Sequence, residues 1–268
     1  MSGPSLTRRA RRGVTFLGDA TCPHGVSLAF TERHGGVSTG DFSSLNLGDA
    51  CGDDPAAVAE NRLRALAALG AEGLSGRLVN PRQVHGDHVV VVSSSVAAEL
   101  ASVRNEAGEG ADAVVCTAAG VPVLLCYADC VPVVLVAEGG FAVIHSGWRG
   151  TIARISAKAL ATLATETGHA PQEVRAYVGP HIAGEDYEVS AGLMGRFVDE
   201  FGPAAQAGER LLDLEACIVR TLVEEGVPAD MIAGTHASTS RETGRFFSYR
   251  ATGGSCGRHG ALVVMSDR

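Results

Sequence analysis

The stretch VPVLLCYADCVPVVLVAEGGFAVIHSGWRG, residues 121–150, decides the fold of this chain. It contains the apolar runs Val123–Tyr127, Val133–Val136 and Phe141–His145, which are bounded by glycine, proline or polar residues. Continuous apolar runs of this length are typical of strands that are buried on both faces. Residues 138–140, Glu-Gly-Gly, predict a hairpin turn between the second and third strands.

Further elements lie on both sides of this stretch. Strand-like runs occur at Val89–Val92, Ala113–Cys116, Val174–Val178, Phe246–Tyr249 and Ala261–Met265. Capping residues, helical spacing of apolar side chains and terminal glycines predict four helices, which end near Gly70, Gly168, Gly202 and Gly226. The second of them is expected to follow Gly150–Thr151. Because strands come in groups with helices between the groups, the pattern favours a mixed α/β or α+β fold over a strict βαβ repeat.

The composition limits the partners of the chain. With 268 residues, of which 46% are hydrophobic and 19% charged, it can bury a substantial core. A formal net charge of −8 repels nucleic-acid phosphates and anionic lipid headgroups. No window approaches the roughly 20 apolar residues that a membrane span needs. We therefore expect neither nucleic acid nor a membrane as partner, and a monomer is the favoured oligomeric state.

The N-terminus is locally basic, with Arg8, Arg9, Arg11 and Arg12 in a stretch of low apolar content. No apolar segment of a signal peptide follows, so residues 1–20 are interpreted as a flexible basic arm that precedes a catalytic domain over residues 21–268. The chain has seven cysteines, an odd number with irregular spacing. This pattern favours reduced thiols and a cytoplasmic location.

Three candidate metal ligands lie where strands begin or end: His85, Cys130 and His145. Two imidazoles and a thiolate suit a catalytic zinc that keeps one position open. Spacing alone does not decide this, because a histidine at a strand end is more often structural and an isolated cysteine more often belongs to the core. Cys130 and His145 could also form the thiolate–imidazolium pair of a cysteine hydrolase. Copper is less favoured, since the nine histidines include no His-x-His pair.

Arg149 is a candidate phosphate-binding residue. It lies at the start of the second predicted helix, close to Gly147 and Gly150, where a guanidinium and free backbone N–H groups could bind phosphate together. The alternative is a surface salt bridge. The loop from Thr31 to Gly52 is the longest segment without periodicity, and long ordered loops often line functional sites.

Several ordered motifs now identify a family resemblance. Early ones are Gly35–Ser38, Ser44–Gly48, Gly52–Asp54 and Asn61–Arg62, followed by Gln83–His85, Ala128–Pro132, His145–Gly150, Val178–Pro180, Tyr187–Val189 and Phe247–Arg250. In these motifs the chain resembles the YfiH-like laccase-domain family, whose members are labelled either multicopper polyphenol oxidases or purine nucleoside phosphorylases.

The resemblance implies a single α/β domain of mixed β-sheets flanked by helices, with zinc held by His85, Cys130 and His145. It implies phosphorolysis of adenosine, inosine, guanosine and S-methyl-5′-thioadenosine, with adenosine deamination at the same site. Under this interpretation Arg149 would hold phosphate and Asn46 would lie near the sugar. The alternatives are a hydrolase that edits peptidoglycan precursors with the same Cys/His site, and a non-catalytic partner protein of envelope or division control. A complete polar site disfavours the non-catalytic alternative.

The chain departs from the family pattern at four positions. Ser238 stands for a cysteine, His181 for a cysteine, Cys256 for a threonine and Ser146 for an alanine. None of the four is an expected zinc ligand, so we expect them to affect details of substrate preference.

Overall fold

The computed structural model of the protein describes residues 3–266. The strands are β1 Thr7–Arg11, β2 Val14–Gly18, β3 Val26–Thr31, β4 Val89–Val92, β5 Ala113–Cys116, β6 Val123–Tyr127, β7 Val131–Ala137, β8 Gly140–Ser146, β9 Arg175–Val178, β10 Gln206–Gly208, β11 Leu211–Leu212, β12 Ile232–Gly234 and β13 His259–Met265. The helices are α1 Pro55–Ala68, α2 Ala97–Glu109, α3 Trp148–Ile152, α4 Ile155–Thr167, α5 Ala191–Phe201, α6 Leu214–Glu224 and α7 Tyr249–Thr252.

The strands form two large sheets and one small hairpin. The first sheet has five antiparallel strands in the order β1-β2-β3-β13-β6. The second has six strands in the order β12-β9-β7-β8-β5-β4, and it is mixed because its two outer pairs are parallel. Strands β10 and β11 pair only with each other. The mixed architecture confirms the expected fold class.

The two large sheets pack face to face, and helices cover their outer faces. Val134 and Val136 of β7 point into the core between the sheets, while Val133 and Leu135 pack against α4 and α6. On the far side of the five-stranded sheet, α1 contributes Leu66 to a third cluster. Both faces of β7 are therefore buried, as its continuous apolar sequence predicts.

The expectation of a flexible arm over residues 1–20 is wrong for residues 7–18. Strand β2 lies in the core through Val14 and Phe16, and β1 pairs with it along the edge of the five-stranded sheet. Strand β1 has little apolar content because both of its faces are largely exposed, and backbone pairing holds it in place. Arg8 adds an ion pair with the buried Glu32, with an Nε–Oε1 distance of 2.7 Å.

The structure also contains strands β3, β10, β11 and β12, which the sequence did not predict, and it differs from the sequence expectation in one predicted strand and two helices. Residues 246–249 form no strand; Ser248 instead caps α7 by accepting a hydrogen bond from the Ala251 N–H. The second predicted helix is interrupted at Arg154, whose φ of 55° separates α3 from α4. Helix α2 was not predicted, because it buries only Leu100 and Ala107 and so lacks a strong apolar periodicity. No helix in residues 3–266 has the length and apolarity to cross a membrane.

Candidate metal centre and active-site cavity

The fold brings His85, Cys130 and His145 together. His85 lies in the loop before β4, Cys130 directly precedes β7, and His145 lies near the end of β8. One ligand atom from each residue lies within 4.8 Å of the others, and no other such group of ligating side chains occurs in residues 3–266. His145 is buried, Cys130 is half-buried and His85 is exposed, so the group opens to solvent on one side.

A single buried carboxylate, Asp112, holds both histidines. Its Oδ1 lies 2.7 Å from His145 Nδ1 and accepts a hydrogen bond from the His85 N–H at 3.0 Å. Its Oδ2 accepts hydrogen bonds from the N–H groups of Val84 and Gly86. Asp112 therefore fixes the His145 ring with Nε2 available as a ligand atom. It also holds the loop in which His85 has a positive φ of 58°.

Burial and these hydrogen bonds act in opposite directions on the Asp112 carboxyl. Burial alone raises its pKa, but the His145 side chain and the backbone N–H groups of Gly86 and Val84 lower the pKa below its ordinary value. Asp112 thus stays ionised and can accept all of these hydrogen bonds at once.

The thiol of Cys130 is poised for ionisation. Burial alone would raise its pKa, but the charge and hydrogen bond of His145, with a contribution from His85, lower the pKa to about 6. For His145, burial lowers the pKa, while the Cys130 thiolate and Asp112 together raise it to about 9. A thiolate is the form in which cysteine binds a metal or attacks an electrophile.

Gly147 keeps the space beside the three residues free. A Cβ at this position would lie 3.1 Å from both Cys130 Sγ and His85 Cδ2, and 3.9 Å from His145 Cε1. A side chain at position 147 would therefore occupy the space between the three residues in which a metal ion or substrate could bind.

The donor set fits a catalytic zinc. Two imidazoles and one thiolate are ligands that zinc accepts, and an Asp–His contact is the usual outer partner of such a site. One group of three ligands does not provide the several histidine-rich centres that a multicopper oxidase requires.

A cavity of about 960 Å³ opens over the three residues. Arg149 lines it and stacks on Trp148 with Cζ 4.4 Å from the ring centroid. No ion pair of Arg149 occurs in residues 3–266, so the surface salt bridge considered from the sequence is absent there. Helix α3 is only five residues long, so the Arg149 guanidinium is a better candidate for binding an anion than the N-terminus of this helix.

The structure corrects the expectation for Asn46, which does not line the cavity. Its side chain is fully buried, donates to Gly48 O and Asp53 Oδ2, and accepts from the N–H groups of Gly48 and Arg258. Every polar atom of the side chain is used inside the protein. Asn46 therefore positions the loop that carries Gly48 and the segment that carries Arg258, and it is not placed to contact a sugar.

Sequence reasoning missed five cavity residues that could contact a ligand. They are Arg82, Tyr187, Tyr249, Arg250 and Arg258. Tyr187, Tyr249 and Arg250 belong to motifs that carried the family resemblance, which was the one available signal. Their segments converge on the cavity only through the sheet topology, which local sequence patterns do not contain.

Asp129 has a structural role distinct from that of Cys130. Its Oδ1 accepts a hydrogen bond from Thr239 Oγ1 at 2.6 Å, and its Oδ2 accepts one from the Arg250 N–H at 2.7 Å. Asp129 has a positive φ of 91°, and this conformation lets adjacent residues face different partners. The turn between β6 and β7 is thereby tied to the segment that starts α7.

The four departures from the family pattern all make internal contacts. Ser146 Oγ lies 2.9 Å from Thr151 Oγ1, His181 Nδ1 lies 2.8 Å from Gly179 O, and Ser238 Oγ donates to Asp186. Cys256 is the departure that touches the cavity wall, because its carbonyl accepts a hydrogen bond from Arg258 Nη1 at 2.6 Å.

Comparison with known proteins places this chain in a family. Residues 27–266 match the family described as multi-copper polyphenol oxidoreductase laccase. The chain is 35% identical to a protein of Deinococcus radiodurans named purine nucleoside phosphorylase, with 91% of this chain and 90% of that protein covered. It is 34% identical to purine nucleoside phosphorylase YlmD of Geobacillus stearothermophilus, with 97% of each chain covered.

Solved structures of similar proteins have the same fold as this chain. The crystal structure of YlmD from Geobacillus stearothermophilus gives a TM-score of 0.84 at 30% identity, covering 98% of this chain and 100% of that one. That of the hypothetical protein YfiH from Bacillus licheniformis gives a TM-score of 0.85 at 25% identity, with 97% and 99% covered. The fold, the matched residues and these relatives show that the chain belongs to the YfiH-like, laccase-like family.

Proposed function

We propose that this protein is a zinc-dependent purine nucleoside phosphorylase that cleaves adenosine, inosine, guanosine and S-methyl-5′-thioadenosine. The observation that carries the proposal is the juxtaposition of His85, Cys130 and His145 with Arg149 in one cavity. The names of the relatives support the reaction class. The proposed substrates are therefore purine nucleosides and inorganic phosphate.

His85, Cys130 and His145 would hold the zinc. When bound, zinc supplies a Lewis acid that polarises an oxygen or lowers the pKa of a water. Asp112 would keep His145 in the ligating tautomer, and the absence of a side chain at Gly147 would leave room beside the ligands. We expect about one zinc per chain, because a site with three ligands holds one ion.

Arg149 would bind phosphate and aim it at the sugar. Stacking on Trp148 orients the guanidinium plane, so that its N–H groups can form paired hydrogen bonds with phosphate oxygens. In the reaction a phosphate oxygen bonds to C1′ of the ribose while the bond from C1′ to the base nitrogen breaks. The bond's electron pair leaves with the base, which takes up a proton, and the sugar is released as its 1-phosphate.

We also propose that adenosine is deaminated in the same cavity. Water adds to the purine carbon that bears the amine, and ammonia leaves after proton transfer to the amine, which gives inosine. This reaction consumes water and no phosphate, so it depends less on Arg149 than phosphorolysis does.

The second candidate function is hydrolysis of a peptidoglycan precursor with Cys130 as nucleophile. It is favoured by one observation, the closeness of the Cys130 thiol to the His145 imidazole that lowers the pKa of the thiol to about 6. The variant Cys130→Ala separates the candidates. Loss of zinc together with activity, in a protein that remains folded by circular dichroism, supports the metal site. Retained zinc with lost activity assigns Cys130 as the nucleophile.

A product assay tests the proposed function directly. Adenosine, inosine and UDP-muramoyl peptides are incubated with the protein, each with and without phosphate, and the products are separated by chromatography. Phosphate-dependent release of hypoxanthine from inosine is the expected result. Cleavage of the muramoyl peptides alone would assign the second candidate, and copper as the dominant metal in unsupplemented protein would contradict the zinc assignment.

The location proposed from the sequence remains the cytoplasm. It is supported by the cysteines of the chain, all of which are free thiols in the structure.

A further inference from the structure

Three arginine side chains in the wall of the cavity are paired with aromatic rings. Three arginines stack on three rings: Arg149 on Trp148 at 4.4 Å, Arg250 on Tyr187 at 5.0 Å and Arg258 on Tyr249 at 6.0 Å. All six residues line the cavity. A stacked guanidinium keeps its N–H edge free for an anion, and stacking reduces the entropy that binding must overcome.

These arginines also lack acidic partners. Arginines outside the cavity do form ion pairs with carboxylates; Arg154 pairs with Glu200, and Arg245 pairs with Glu32. Among residues 3–266, none of the cavity arginines, Arg82, Arg149, Arg250 and Arg258, forms an ion pair with a carboxylate.

The two carboxylates that line the cavity do not change this balance. Asp49 pairs with Arg62, which is not a lining residue, at an Nη2–Oδ2 distance of 3.0 Å. Asp129 is occupied by the Thr239 hydroxyl and the Arg250 N–H. In a chain with a net charge of −8, the cavity is thus a local concentration of uncompensated positive charge.

Phosphorolysis accounts for only part of this charge. A nucleoside is uncharged, and in the proposed reaction Arg149 would bind the one inorganic phosphate. Arg82, Arg250 and Arg258 remain, and of these three Arg250 and Arg258 stack on rings of the cavity. The side-chain hydrogen bonds of Arg250 and Arg258 within residues 3–266 all use Nη1, which donates to Glu188 O in Arg250 and to Cys256 O, Cys256 Sγ and Gly257 O in Arg258. Nε and Nη2 of both arginines thus stay free for a ligand.

We propose that Arg250 and Arg258 form a second anion subsite, and that the cavity binds purine nucleosides which themselves carry a phosphate. The exposed ring of Tyr249 and the half-buried ring of Tyr187 lie beside the two arginines and offer faces for the base. The purine part of this inference rests on the proposed function. The anion subsite rests on the arginines alone.

Binding measurements with the zinc-loaded protein in phosphate-free buffer test this subsite. Isothermal titration calorimetry compares inosine, which is neither deaminated nor cleaved in the absence of phosphate, with inosine 5′-monophosphate. Since a hydrogen bond to a charged group contributes about tenfold or more in affinity, we expect the monophosphate to bind at least about tenfold more tightly. In Arg250→Gln and Arg258→Gln this preference should fall several-fold, while Arg77→Gln, an exposed arginine outside the cavity, should retain it.

The outcomes are separable from those of the proposed function. Equal affinity for the two ligands in the wild-type protein, or an unchanged preference in both Arg250→Gln and Arg258→Gln, overturns the second subsite even if inosine phosphorolysis proceeds. Because Arg258 also binds main-chain carbonyls, Arg250→Gln is the decisive variant if Arg258→Gln unfolds. A preference for the monophosphate without any phosphorolysis leaves the subsite intact and overturns the proposed function. Uridine 5′-monophosphate binding as tightly as inosine 5′-monophosphate would overturn the purine assignment.

Discussion

At the residue scale, Asp112 is the point at which the two histidines of the site depend on one side chain. It contacts His145 through the ring and His85 through the backbone, so both ligands lose their support if its charge is removed. Asp112→Asn is expected to lower zinc affinity about 10–100-fold, the usual cost of losing an outer-shell partner. A competition titration against a chromophoric chelator measures the affinity.

The matched control is Asp213→Asn. Asp213 caps α6 by accepting a hydrogen bond from the Ala216 N–H, and asparagine caps helices about as well. This variant should bind zinc like the wild-type protein. Unchanged zinc affinity in Asp112→Asn would show that neither His85 nor His145 needs this carboxylate in order to bind metal.

Arg149 provides the second prediction at this scale. Arg149→Lys keeps the charge but loses the planar fork that stacks on Trp148. The variant should therefore need a higher phosphate concentration for inosine cleavage, while adenosine deamination should suffer much less. Both reactions are measured on one preparation with phosphate varied and zinc content checked, because Arg149 follows His145 closely in the chain. Equal loss of activity in both reactions would mean that Arg149 contacts the purine or the ribose, which both reactions share, and does not specifically bind phosphate.

At the element scale, helix α1 supports one side of the cavity through a single amide. Asn61 is fully buried; its Oδ1 accepts from the Val37 N–H, and its Nδ2 donates to Ser38 Oγ, Ser44 O and Asn46 O. These bonds fold the loop after β3 back onto the helix. The loop then places Gly48 through Cys51 at the cavity, so the long non-periodic segment is ordered by a residue outside it.

Asn61→Ala is expected to destabilise the protein by about 1–3 kcal/mol, because it leaves buried backbone groups without partners. The loop of residues 33–53 should also become more accessible to limited proteolysis. Chemical denaturation gives the free energy of unfolding, and mass spectrometry locates the cleavage. Asn105→Ala on the exposed face of α2 is the control and should change neither quantity. Wild-type cleavage kinetics in Asn61→Ala would contradict this role.

The elements also show what the sequence can predict. Helices α1, α5 and α6 were predictable because Asp54, Ser190 and Asp213 cap them and glycines follow them. The buried strands of the six-stranded sheet were predictable from their apolar runs. Strand β1 was not, because an edge strand stabilised by backbone pairing has no apolar signature.

The ligand trio was predictable only through motifs, since His85 and His145 are far apart in sequence and meet through Asp112. For a related reason, the motifs could not show that the Asn46 side chain does not line the cavity. A polar residue in a loop motif can bind the ligand or stabilise the loop itself. Only the structure shows that the hydrogen bonds of the Asn46 side chain are made within the protein.

At the scale of the whole molecule, the two sheets place the site at a junction. Cys130 lies where the chain passes from β6 of the five-stranded sheet to β7 of the six-stranded sheet, and His145 lies on β8 beside β7. A ligand in the cavity thus contacts segments attached to both sheets. The relative position of the sheets is set by the core between them, where Phe30 packs with residues of β7 and β8.

Glu32 ties distant parts of the molecule together next to that core. It is fully buried, and its Oε1 accepts from Arg8 Nε at 2.7 Å and from Arg245 Nη2 at 2.6 Å. The carboxylate therefore joins β1, the end of β3 and the segment before α7. Burial alone raises its pKa, but the hydrogen bonds and charges of Arg8 and Arg245 lower the pKa below its ordinary value of 4.5.

This lowered pKa predicts how global stability depends on pH. A carboxyl whose pKa is lower in the folded than in the unfolded state stabilises the fold above the unfolded value, and that contribution is lost as pH falls through the folded value. Glu32→Gln should therefore lower the melting temperature at pH 7, where the contribution is complete. The gap from wild type should narrow as the pH falls from 4.5 toward the lower pKa of folded Glu32, because the unfolded chain then binds a proton at Glu32 more readily than the folded protein does.

Differential scanning calorimetry from pH 7 to pH 3 measures the gap, with Glu109→Gln at the exposed end of α2 as control. The control should follow the wild-type curve throughout. If the difference in melting temperature between wild type and Glu32→Gln stays constant over this range, the variant loses only packing and hydrogen bonds and no charge-dependent stability. In that case the two arginines would hold β1 and the α7 segment without help from the charge of Glu32.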